Sequence, residues 1–537
     1  MRVRVLLLGL VAAFLPTGCS RQTAVQTGTR EQVLHLGNTA EPADLDPHTN
    51  TASSTSRVLS ALFEGLVVLG NDGQTILPGA AERWAVSADG LTYTFHLRAG
   101  AVWSNGEPVT ARDFRESFLR LLDPQLGCEL ASFAGAVVGA GDFLAGKTND
   151  PAAVGVTTPD ERTVVMRLAY PAPYWLTLIS YPQFYPVNLR SVDAGGGRRA
   201  RGGAWTRPGR LVGNGPFMLA EWRPNSVLRV VRNPRYWDVA RVRLNEVRFY
   251  PTDDENSDER SYRAGQLHVT ARLPVPKVAV YRRDHADELH LTPQLRVNFL
   301  SFNVARPPFT DPRVRRAFAL AIDRERLVAA ALGALGTPAF AMTRPDTGGD
   351  TTPPAVRFDP AESRRLLAEA GFPGGVGLPK IEFTLNGNAG RTLTLGEVLQ
   401  NMWAENLGAR VSVASVEFKV YLNAVRTKQF QLLLDGWGSN VADPRELMQM
   451  GVTDDPNNDS GWGNREFDAD FAAADHAETS ARRGEIFNRM EARLAQASPY
   501  APLYYTNAGF LVRPEVRGWR DNALGQIDWR TLWLEAK

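Results

Sequence analysis

Cysteine is scarce in this sequence, and charge of neither sign is in excess. Only two cysteines, Cys19 and Cys128, occur among the 537 residues, so stability must come from packing. Sixty basic and 58 acidic side chains leave a net charge of +2, which argues against nucleic acid as a partner. The apolar run 5–15 is too short to span a membrane, and the rest of the chain offers no candidate span.

The motifs of catalysis are also missing. The sequence has no G-x-S-x-G elbow, no phosphate-binding loop, no zinc-peptidase helix and no dinucleotide fingerprint after a strand. Adjacent acids, such as Asp253 with Asp254 and Asp454 with Asp455, lack the apolar setting that raises one pKa for glycosidase chemistry. The histidines show no metal-ligand spacing on one helix and stand at positions 35, 48, 96, 268, 285, 290 and 476. We therefore predict no enzyme, no metal site and no cofactor.

The sequence does contain the features of a soluble α/β protein of two or three domains, with a hydrophobic fraction of 44%. The stretch LTYTFHL, residues 91–97, alternates apolar and polar side chains as a half-buried strand does. Thr110 and Asp113 form a capping-box pattern, and Asp359 before a proline predicts another helix start. A helical pattern ends near Gly408 and is followed by an alternating strand, which predicts a βαβ-like unit in the C-terminal half.

The first residues, MRVRVLLLGLVAAFLPTGCSRQ, have the features of an export signal, with two arginines before an apolar core. The Gly18-Cys19 pair resembles the lipobox of bacterial lipoproteins, although Pro16 stands where that box usually has leucine. This resemblance implies a signal peptide at residues 1–18 and a lipid on Cys19 that anchors the protein to a membrane. A plain secretory signal followed by an unmodified cysteine is the alternative, and it also predicts export.

The segment after the signal is polar. Residues 23–32, TAVQTGTREQ, lack periodicity and predict a flexible tether, and we assign residues 19–29 to a lipidated tether. A lipid on Cys19 would leave Cys128 without a disulfide partner. The surroundings of Cys128, PQLGCELASF, favour a packed thiol over a nucleophile.

Five ordered blocks together resemble one family, the extracytoplasmic solute-binding proteins of bacterial ABC importers for peptides (the oligopeptide- and dipeptide-binding group, family 5). Three of them are LRAGAVWSNGEPVTARDF at 97–114, LVGNGPFMLAEWRPNSVLRVVRNPRYWD at 211–238 and LSFNVARPPFTDPRVRRAFALAIDRERLV at 300–328. The stretches 65–98 and 500–519 extend the match to nearly the whole mature chain.

The resemblance implies an α/β, periplasmic-binding-protein-like fold of two lobes and three domains, with a ligand cleft at the hinge. Domain I would comprise residues 30–70, 190–290 and 515–537, domain II residues 71–189 and domain III residues 291–514. It also implies a function. The protein would be a lipid-anchored monomeric receptor, in the periplasm or at the outer cell surface, that binds peptides or peptide-like solutes and delivers them to ABC permease subunits.

The stretch LLLDGWGSNVADPRELM, residues 432–448, carries the main implied ligand contact. In the family, the corresponding Gly-Trp turn is the ligand-facing edge of domain III, and its backbone pairs with the bound peptide as an added strand. Here that edge consists of Gly436, Trp437, Gly438 and Ser439. A purely structural role for Trp437 as a core aromatic is the alternative.

One position departs from the family pattern. Where the oligopeptide binders place an aspartate for the α-amino group of the peptide, three residues after the tryptophan, this sequence has Asn440. A neutral amide lacks the charge-assisted part of such a contact, so Asn440 weakens the case for a free-amine anchor. Asp435 or Asp443 could substitute, although Asp443 before Pro444 fits a helix cap better.

Two further contacts are implied by the resemblance. Arg426 in LNAVRTKQF matches a family arginine near the carboxyl end of the ligand, and a surface arginine is the alternative. Glu41 in NTAEPADLDP matches a domain I contact. Relatives that bind nickel complexes, haem or sugars keep a non-peptide ligand open. A sensory lipoprotein and, less favoured, an envelope hydrolase are the remaining alternatives.

Overall fold

In the computed structural model, residues 22–345, 356–387, 390–477 and 479–536 are described. The predicted signal peptide and Cys19 lie outside these residues. Within the described ranges, no helix is both long and apolar enough to cross a membrane.

Strands and helices are mixed along the whole described chain. The strands are β1 (Val33–Asn38), β2 (Val67–Leu69), β3 (Ile76–Pro78), β4 (Ala81–Val86), β5 (Thr92–Leu97), β6 (Val156–Asp160), β7 (Thr163–Arg167), β8 (Phe217–Arg223), β9 (Val227–Arg232), β10 (Glu246–Pro251), β11 (Leu289–Phe302), β12 (Gly336–Pro338), β13 (Ile381–Asn386), β14 (Val411–Val416), β15 (Leu432–Gly438), β16 (Tyr500–Leu511), β17 (Val516–Arg517) and β18 (Trp533–Leu534). The helices are α1 (Ala24–Glu31), α2 (Ser53–Leu62), α3 (Ala111–Leu121), α4 (Ala140–Leu144), α5 (Trp175–Ile179), α6 (Leu189–Ala194), α7 (Glu255–Arg263), α8 (Val275–Asp284), α9 (Pro312–Leu320), α10 (Arg324–Ala331), α11 (Pro360–Glu369), α12 (Gly390–Leu407), α13 (Phe418–Arg426), α14 (Arg445–Gln449), α15 (Arg465–Asp475) and α16 (Ser480–Ala497).

The first sheet draws its strands from distant parts of the chain. Its order is β1-β10-β9-β8, with β1 parallel to β10. Trp529, near the C-terminus, packs edge-on against Phe217 and Phe249 of this sheet at ring distances of 6.2 and 5.8 Å. Three separate segments therefore share one core. The exact domain boundaries stay a prediction, and the β2–β3 hairpin crosses the boundary expected between residues 70 and 71.

The second sheet, β4-β5-β7-β6, is antiparallel and packs against α3. Its strand β5 buries Tyr93, Phe95 and Leu97, which confirms the predicted alternation. The capping box before α3 is also confirmed: the Asp113 amide donates to the Thr110 hydroxyl at 3.3 Å, and the Thr110 amide donates to the Asp113 carboxylate at 2.8 Å.

The third sheet, β12-β16-β11-β15-β13-β14, contains the predicted βαβ unit, because β13 and β14 are parallel and α12 connects them. Its two long strands, β11 and β16, run antiparallel to each other. Val269 forms a parallel bridge with Leu36 of the first sheet and an antiparallel bridge with Val512, just after β16. The chain therefore joins the first and third sheets near residue 269.

The prediction of a flexible tether is wrong from residue 23 onward, because α1 begins there with a capping box. The Thr23 amide donates to Gln26 Oε1 at 2.9 Å, and the Gln26 amide donates to the Thr23 hydroxyl at 3.2 Å. Val25 is buried, and the Thr29 hydroxyl lies 3.2 Å from Nε2 of the buried His268. The helix buries small and polar side chains, so hydrophobic periodicity did not reveal it.

Cys128 is a buried free thiol, as predicted. Burial raises its pKa to about 11, so the unreactive thiol form dominates at pH 8. We expect iodoacetamide at pH 8 to leave Cys128 unmodified in the folded protein and to alkylate it after unfolding in urea. Peptide mapping by mass spectrometry distinguishes this residue from Cys19. Rapid alkylation of Cys128 in the native protein would contradict the packing described here.

Candidate functional site

A cavity of about 590 Å³ lies between the first and third sheets. Asn298 of β11 and Tyr504 and Thr506 of β16 line one side, and the Asn298 amide donates to the Thr506 hydroxyl at 2.8 Å. The first turn of α2 and residues 269–273 form the opposite side, and residues 519–527 complete the lining. Both sides of the junction between the sheets thus contribute to one space of the size used for small ligands.

Strand β15 lies beside this cavity. It pairs antiparallel with β11 along its length, with Gly436 opposite Asn298 and Gly438 opposite Arg296. On its other side, β13 pairs only with the first two residues of β15. Beyond them, within the described chain, this second edge of β15 has no strand neighbour.

The backbone of Gly436 points to that open edge. The Ser439 amide donates to the Leu295 carbonyl at 2.7 Å, and because antiparallel bonding alternates, the groups of Gly436 face away from β11. The Gly436 amide donates to Oδ1 of Asp435 at 2.7 Å, and its carbonyl accepts a hydrogen bond from Nη2 of Arg296 at 3.2 Å. Side chains rather than a strand therefore satisfy these two groups.

A side chain at position 436 would force two neighbouring side chains to move. A Cβ there would lie 2.6 Å from Oδ1 of Asn298 and 2.8 Å from Nη2 of Arg296, both of which line the cavity. At Gly438 the nearest atom is Nη1 of Arg296 at 3.7 Å, an ordinary contact. The close approach of side chains to the backbone is thus specific to Gly436.

The Trp437 side chain points the other way. It packs against the cluster that contains Val297, Phe299, Met448 and Phe487, on the face of the third sheet away from the cavity. Its indole Nε1 is buried without a hydrogen-bond partner among the described residues. The Trp437 ring is thus packed as a core aromatic. A ligand contact by this part of β15 would come from the backbone.

Asn440 follows the turn and is half-buried. Its amide N–H donates to Oε2 of Glu446 at 2.8 Å. The pKa of Glu446 is raised to about 8. Burial is the largest cause and the nearby Asp443 adds to it, whereas the hydrogen bond from Asn440 and the charge of Arg445 oppose the shift. A buried carboxyl therefore lies directly behind the residue that replaces the family aspartate, and it also faces Tyr181.

Glu446 makes the stability of the fold depend on pH. Since its folded pKa of about 8 exceeds the unfolded value of 4.5, the native state retains a proton that the unfolded chain loses between these pH values. Stability contributed by this group therefore falls as pH rises through that range. We expect Glu446→Gln, measured by urea unfolding at pH 5 and pH 8.5, to lose less stability over the interval than the native sequence. An equal loss in both proteins would show that the carboxyl titrates normally.

The Asp435 carboxyl is buried together with Asp459 behind the strand. Burial raises the pKa of both, and their mutual repulsion raises that of Asp459 further, so the pair holds a proton that isolated carboxyls would release. The Tyr421 hydroxyl next to them donates to the Leu434 carbonyl at 3.0 Å. Asp435 thus contacts Asp459 and the Gly436 amide. These contacts do not favour Asp435 as a substitute for the aspartate that would bind the α-amino group of a peptide.

None of the predicted ligand-contact residues is among those that line the cavity. Arg426 is the last residue of α13 and is exposed. Glu41 accepts hydrogen bonds from the Trp222 indole and from the Asn225 amide at 3.1 Å, which ties it to the β8–β9 hairpin. Asp443 caps the amide of Arg445 at 2.9 Å, as its position before a proline indicated. Ligand contacts by Arg426 and Glu41 stay predictions.

Sequence reasoning missed Arg296 and Asn298, the two side chains that connect the cavity to Gly436. A signal was present, because they alternate with the buried Leu295, Val297 and Phe299 and so share one face of a strand. The alternation indicates that Arg296 and Asn298 share one face of β11, but it does not indicate that this face lies next to Gly436 of β15.

Several residues that line the cavity carry hydroxyls, Ser53 and Ser54 among them, but no histidine or cysteine occurs in that lining. The described residues also contain no group of three or more side chains able to hold a metal ion. The lining therefore contains no serine–histidine or cysteine–histidine pair.

A second set of contacts joins the region of the second sheet to helices of the C-terminal half. The guanidinium of Arg445 lies 5.5 Å from the ring of Tyr170, and that of Arg483 lies 5.9 Å from the ring of Tyr174. Both arginines also form ion pairs. Arg445 pairs with Asp475 at 2.7 Å, and Nη2 of Arg483 donates to Oδ1 of Asp443 at 3.0 Å. Cation–π contacts therefore connect the segment after β7 with α14 and α16.

Comparison with known proteins gives a consistent result. Residues 75–459 match the sequence model of the bacterial extracellular solute-binding proteins, family 5. The chain is 31% identical to the periplasmic oligopeptide-binding protein OppA of Salmonella typhimurium, over 96% of this chain and 94% of the relative. It is 30% identical to the probable deoxycholate-binding periplasmic protein YgiS of Escherichia coli, over 91% and 90%. The structure of the murein tripeptide binding protein MppA of Escherichia coli superposes with a TM-score of 0.83, at 31% identity and with 94% of this chain and 98% of that one covered.

Proposed function

The chain belongs to family 5 of the bacterial extracellular solute-binding proteins, with the mixed helix and sheet fold of the two-lobed peptide-binding members, and from this membership we propose that it is the peptide receptor of an ABC importer. In this proposal the ligand is a peptide or peptide-like solute. The receptor holds it in the cavity between the first and third sheets and delivers it to the permease subunits.

The observation that carries the proposal is the open edge of β15 beside the cavity. The amide and carbonyl of Gly436 point to that edge, and among the described residues their hydrogen-bond partners are the side chains of Asp435 and Arg296. An extended peptide could replace both side chains and form backbone hydrogen bonds there as an added strand. Such bonds do not depend on the side chains of the ligand, so a receptor built this way accepts many sequences.

Binding would be coupled to the relative position of the two sides of the cavity. A ligand that contacts both the third sheet and the segment 269–273 stabilises the arrangement in which they face each other. In this proposal, the contacts of Tyr170 and Tyr174 with Arg445 and Arg483 belong to that arrangement. The closed form would be the state that the permease recognises.

A non-peptide ligand is the second candidate. Asn440 lacks the charge of the family aspartate, and the Glu446 carboxyl behind it is bonded to the Asn440 amide rather than directed at the cavity. One relative is named for deoxycholate rather than for a peptide. The fold and the transport role would be unchanged with such a ligand.

The location and organisation of the receptor belong to the same proposal. A lipid on Cys19 would tether a monomer to the membrane, outside the cytoplasm, and α1 would follow within five residues of that anchor. The domain boundaries given above, with domain I built from three segments, complete it.

Ligand release tests the proposed function directly. The protein is purified from cells without refolding, its mass is measured under native conditions, and the molecules set free by denaturation are identified. We expect peptides to be released in a 1:1 ratio with the protein. Release of a steroid, sugar or chelate in place of peptides would remove the peptide from the proposal, while the fold and the transport role would stand.

A further inference from the structure

The charged side chains of the cavity are mostly arginines. Among the described residues that line it, the acidic side chains are Glu255 and Asp521, whereas the basic ones are Arg57, Arg272, Arg296, Arg391 and Arg520. Both acids already have cationic or histidine partners: Glu255 pairs with Arg391 at 3.1 Å, and Asp521 lies 2.9 Å from Nδ1 of His290. The lining therefore has an excess of positive charge that its own carboxylates do not balance.

Arg296 is the arginine next to the open edge of β15. One of its Nη2 hydrogens is used by the Gly436 carbonyl at 3.2 Å. No carboxylate of the described residues forms an ion pair with it within 4 Å, and the side chain is exposed to the cavity. A guanidinium has five N–H donors in a planar fork, so most of the donors of Arg296 remain available to a carboxylate.

Arg57 is the second arginine with unused donor capacity. Its Nη1 donates to the Gly37 carbonyl at 3.3 Å, and its Nε is buried with no hydrogen-bond partner in the described residues. The nearby Asp258 partly offsets its charge. Oδ2 of that carboxylate accepts the amides of Ala271 at 2.6 Å and Arg272 at 3.2 Å, and its buried Oδ1 has no hydrogen-bond partner among the described residues. Because Nε is closed off from the cavity, the contribution of Arg57 to the lining is its positive charge.

The position of these arginines indicates what the ligand carries. Arg296 and Arg391 both lie near Tyr504. Burial raises the pKa of the Tyr504 hydroxyl, and the positive charges of the two guanidiniums oppose that rise. A peptide paired with the backbone of Gly436 would place a side chain above this part of the third sheet, since strand side chains project perpendicular to the sheet. A carboxylate there would form charge-assisted hydrogen bonds that a neutral side chain cannot.

On the basis of the proposed function, we propose that this receptor selects peptides with an acidic side chain, which the guanidinium of Arg296, supported by Arg57, binds in the cavity. The recognised group is a carboxylate. An aspartate or glutamate side chain is the source we assign, and a carboxylate on a non-peptide amphiphile such as deoxycholate is the other source of the same group.

The test uses matched pairs of tripeptides in titration calorimetry. Each pair has glutamate or glutamine at one of the three positions and alanine elsewhere, so its members differ in charge but not in shape. We expect the native protein to bind the glutamate member of at least one pair roughly tenfold more tightly. In Arg296→Gln the ratio within that pair should fall to about one, whatever the change in overall affinity. Arg410→Gln, at an exposed arginine far from the lining, is the control and should keep the ratio.

The outcomes separate this inference from the proposed function. Equal affinity within every pair, or a ratio that survives in Arg296→Gln, overturns the selection of acidic side chains and leaves the peptide receptor standing. Binding of deoxycholate that Arg296→Gln weakens, with no binding of any peptide, supports the carboxylate site but assigns it to an amphiphile. Absence of binding by every peptide and by deoxycholate overturns both proposals.

Discussion

Replacement of Gly436 by alanine is expected to weaken peptide binding by at least about tenfold, which corresponds to roughly 1.4 kcal/mol. The added Cβ would lie 2.6 Å from Oδ1 of Asn298 and 2.8 Å from Nη2 of Arg296, so both side chains must move into the cavity. Asn298 has little freedom to move, because its amide is bonded to Thr506. The measurement is titration of one recovered peptide into both proteins.

Gly438→Ala is the matched control on the same strand. Its added Cβ would meet only Nη1 of Arg296 at 3.7 Å, and neither glycine has a positive φ that alanine would strain. We expect the control to bind within about threefold of the native protein. If both variants bound peptide as tightly as the native protein, the open edge at Gly436 would not be part of the ligand site.

Replacement of Arg120 by alanine is expected to lower the free energy of unfolding by about 3–5 kcal/mol. Arg120 in α3 is paired with Asp46 at 2.5 Å, and the exposed fractions of the two side chains are only 2% and 0%. Its Nη1 also lies 2.8 Å from Nδ1 of His48, whose pKa burial lowers to about 4, and its Nε donates to the Arg198 carbonyl at 2.7 Å. Truncation would leave the Asp46 charge buried without its partner.

Urea unfolding followed by circular dichroism measures this effect. Arg112→Ala, on the exposed side of the same helix, removes an equal side chain without breaking a buried pair and should change stability by less than about 1 kcal/mol. Similar losses in both variants would mean that the change acts through helix propensity rather than through Asp46.

Local patterns predicted the elements of this fold well. Thr110 with Asp113 predicted the start of α3, and Asp359 predicted the start of α11, because caps depend on residues three or four positions apart. The alternation in β5 predicted its buried face for the same reason. The order of the strands in the three sheets lay beyond such patterns, and resemblance to a family supplied the expectation of a two-lobed fold.

The candidate site was less accessible to sequence reasoning because its parts are distant in the chain. The cavity is lined by Ser53, Arg272, Asn298, Thr506 and Asn522, which come together only in the folded protein. Charge balance over the whole chain, at +2, also concealed the local excess of arginine. Family resemblance implied a ligand-facing turn at Gly436 and Trp437, whereas both residues lie within strand β15. Their contact with a ligand stays a prediction, and the resemblance did not reveal the side chains at the open edge.

Helix α1 is a local element that sequence patterns failed to predict. Its sequence is polar, and the usual signal of an amphipathic helix is weak when the buried residues are small. Gly28 illustrates this, since a Cβ there would lie 2.5 Å from the Val33 carbonyl and 2.9 Å from the His35 ring. Close backbone packing of this kind is determined by the neighbouring strand and has no hydrophobic pattern of its own.

Strand pairing at Gly436 is tested by comparing a peptide recovered from the protein with the same peptide carrying methyl groups on its backbone amide nitrogens. Methylation removes the donors that strand pairing needs and leaves the side chains unchanged. Titration calorimetry should show that the methylated peptide binds at least about a hundredfold more weakly, because the backbone of Gly436 would lose its partner. Equal affinity for the two peptides would contradict binding as an added strand on β15.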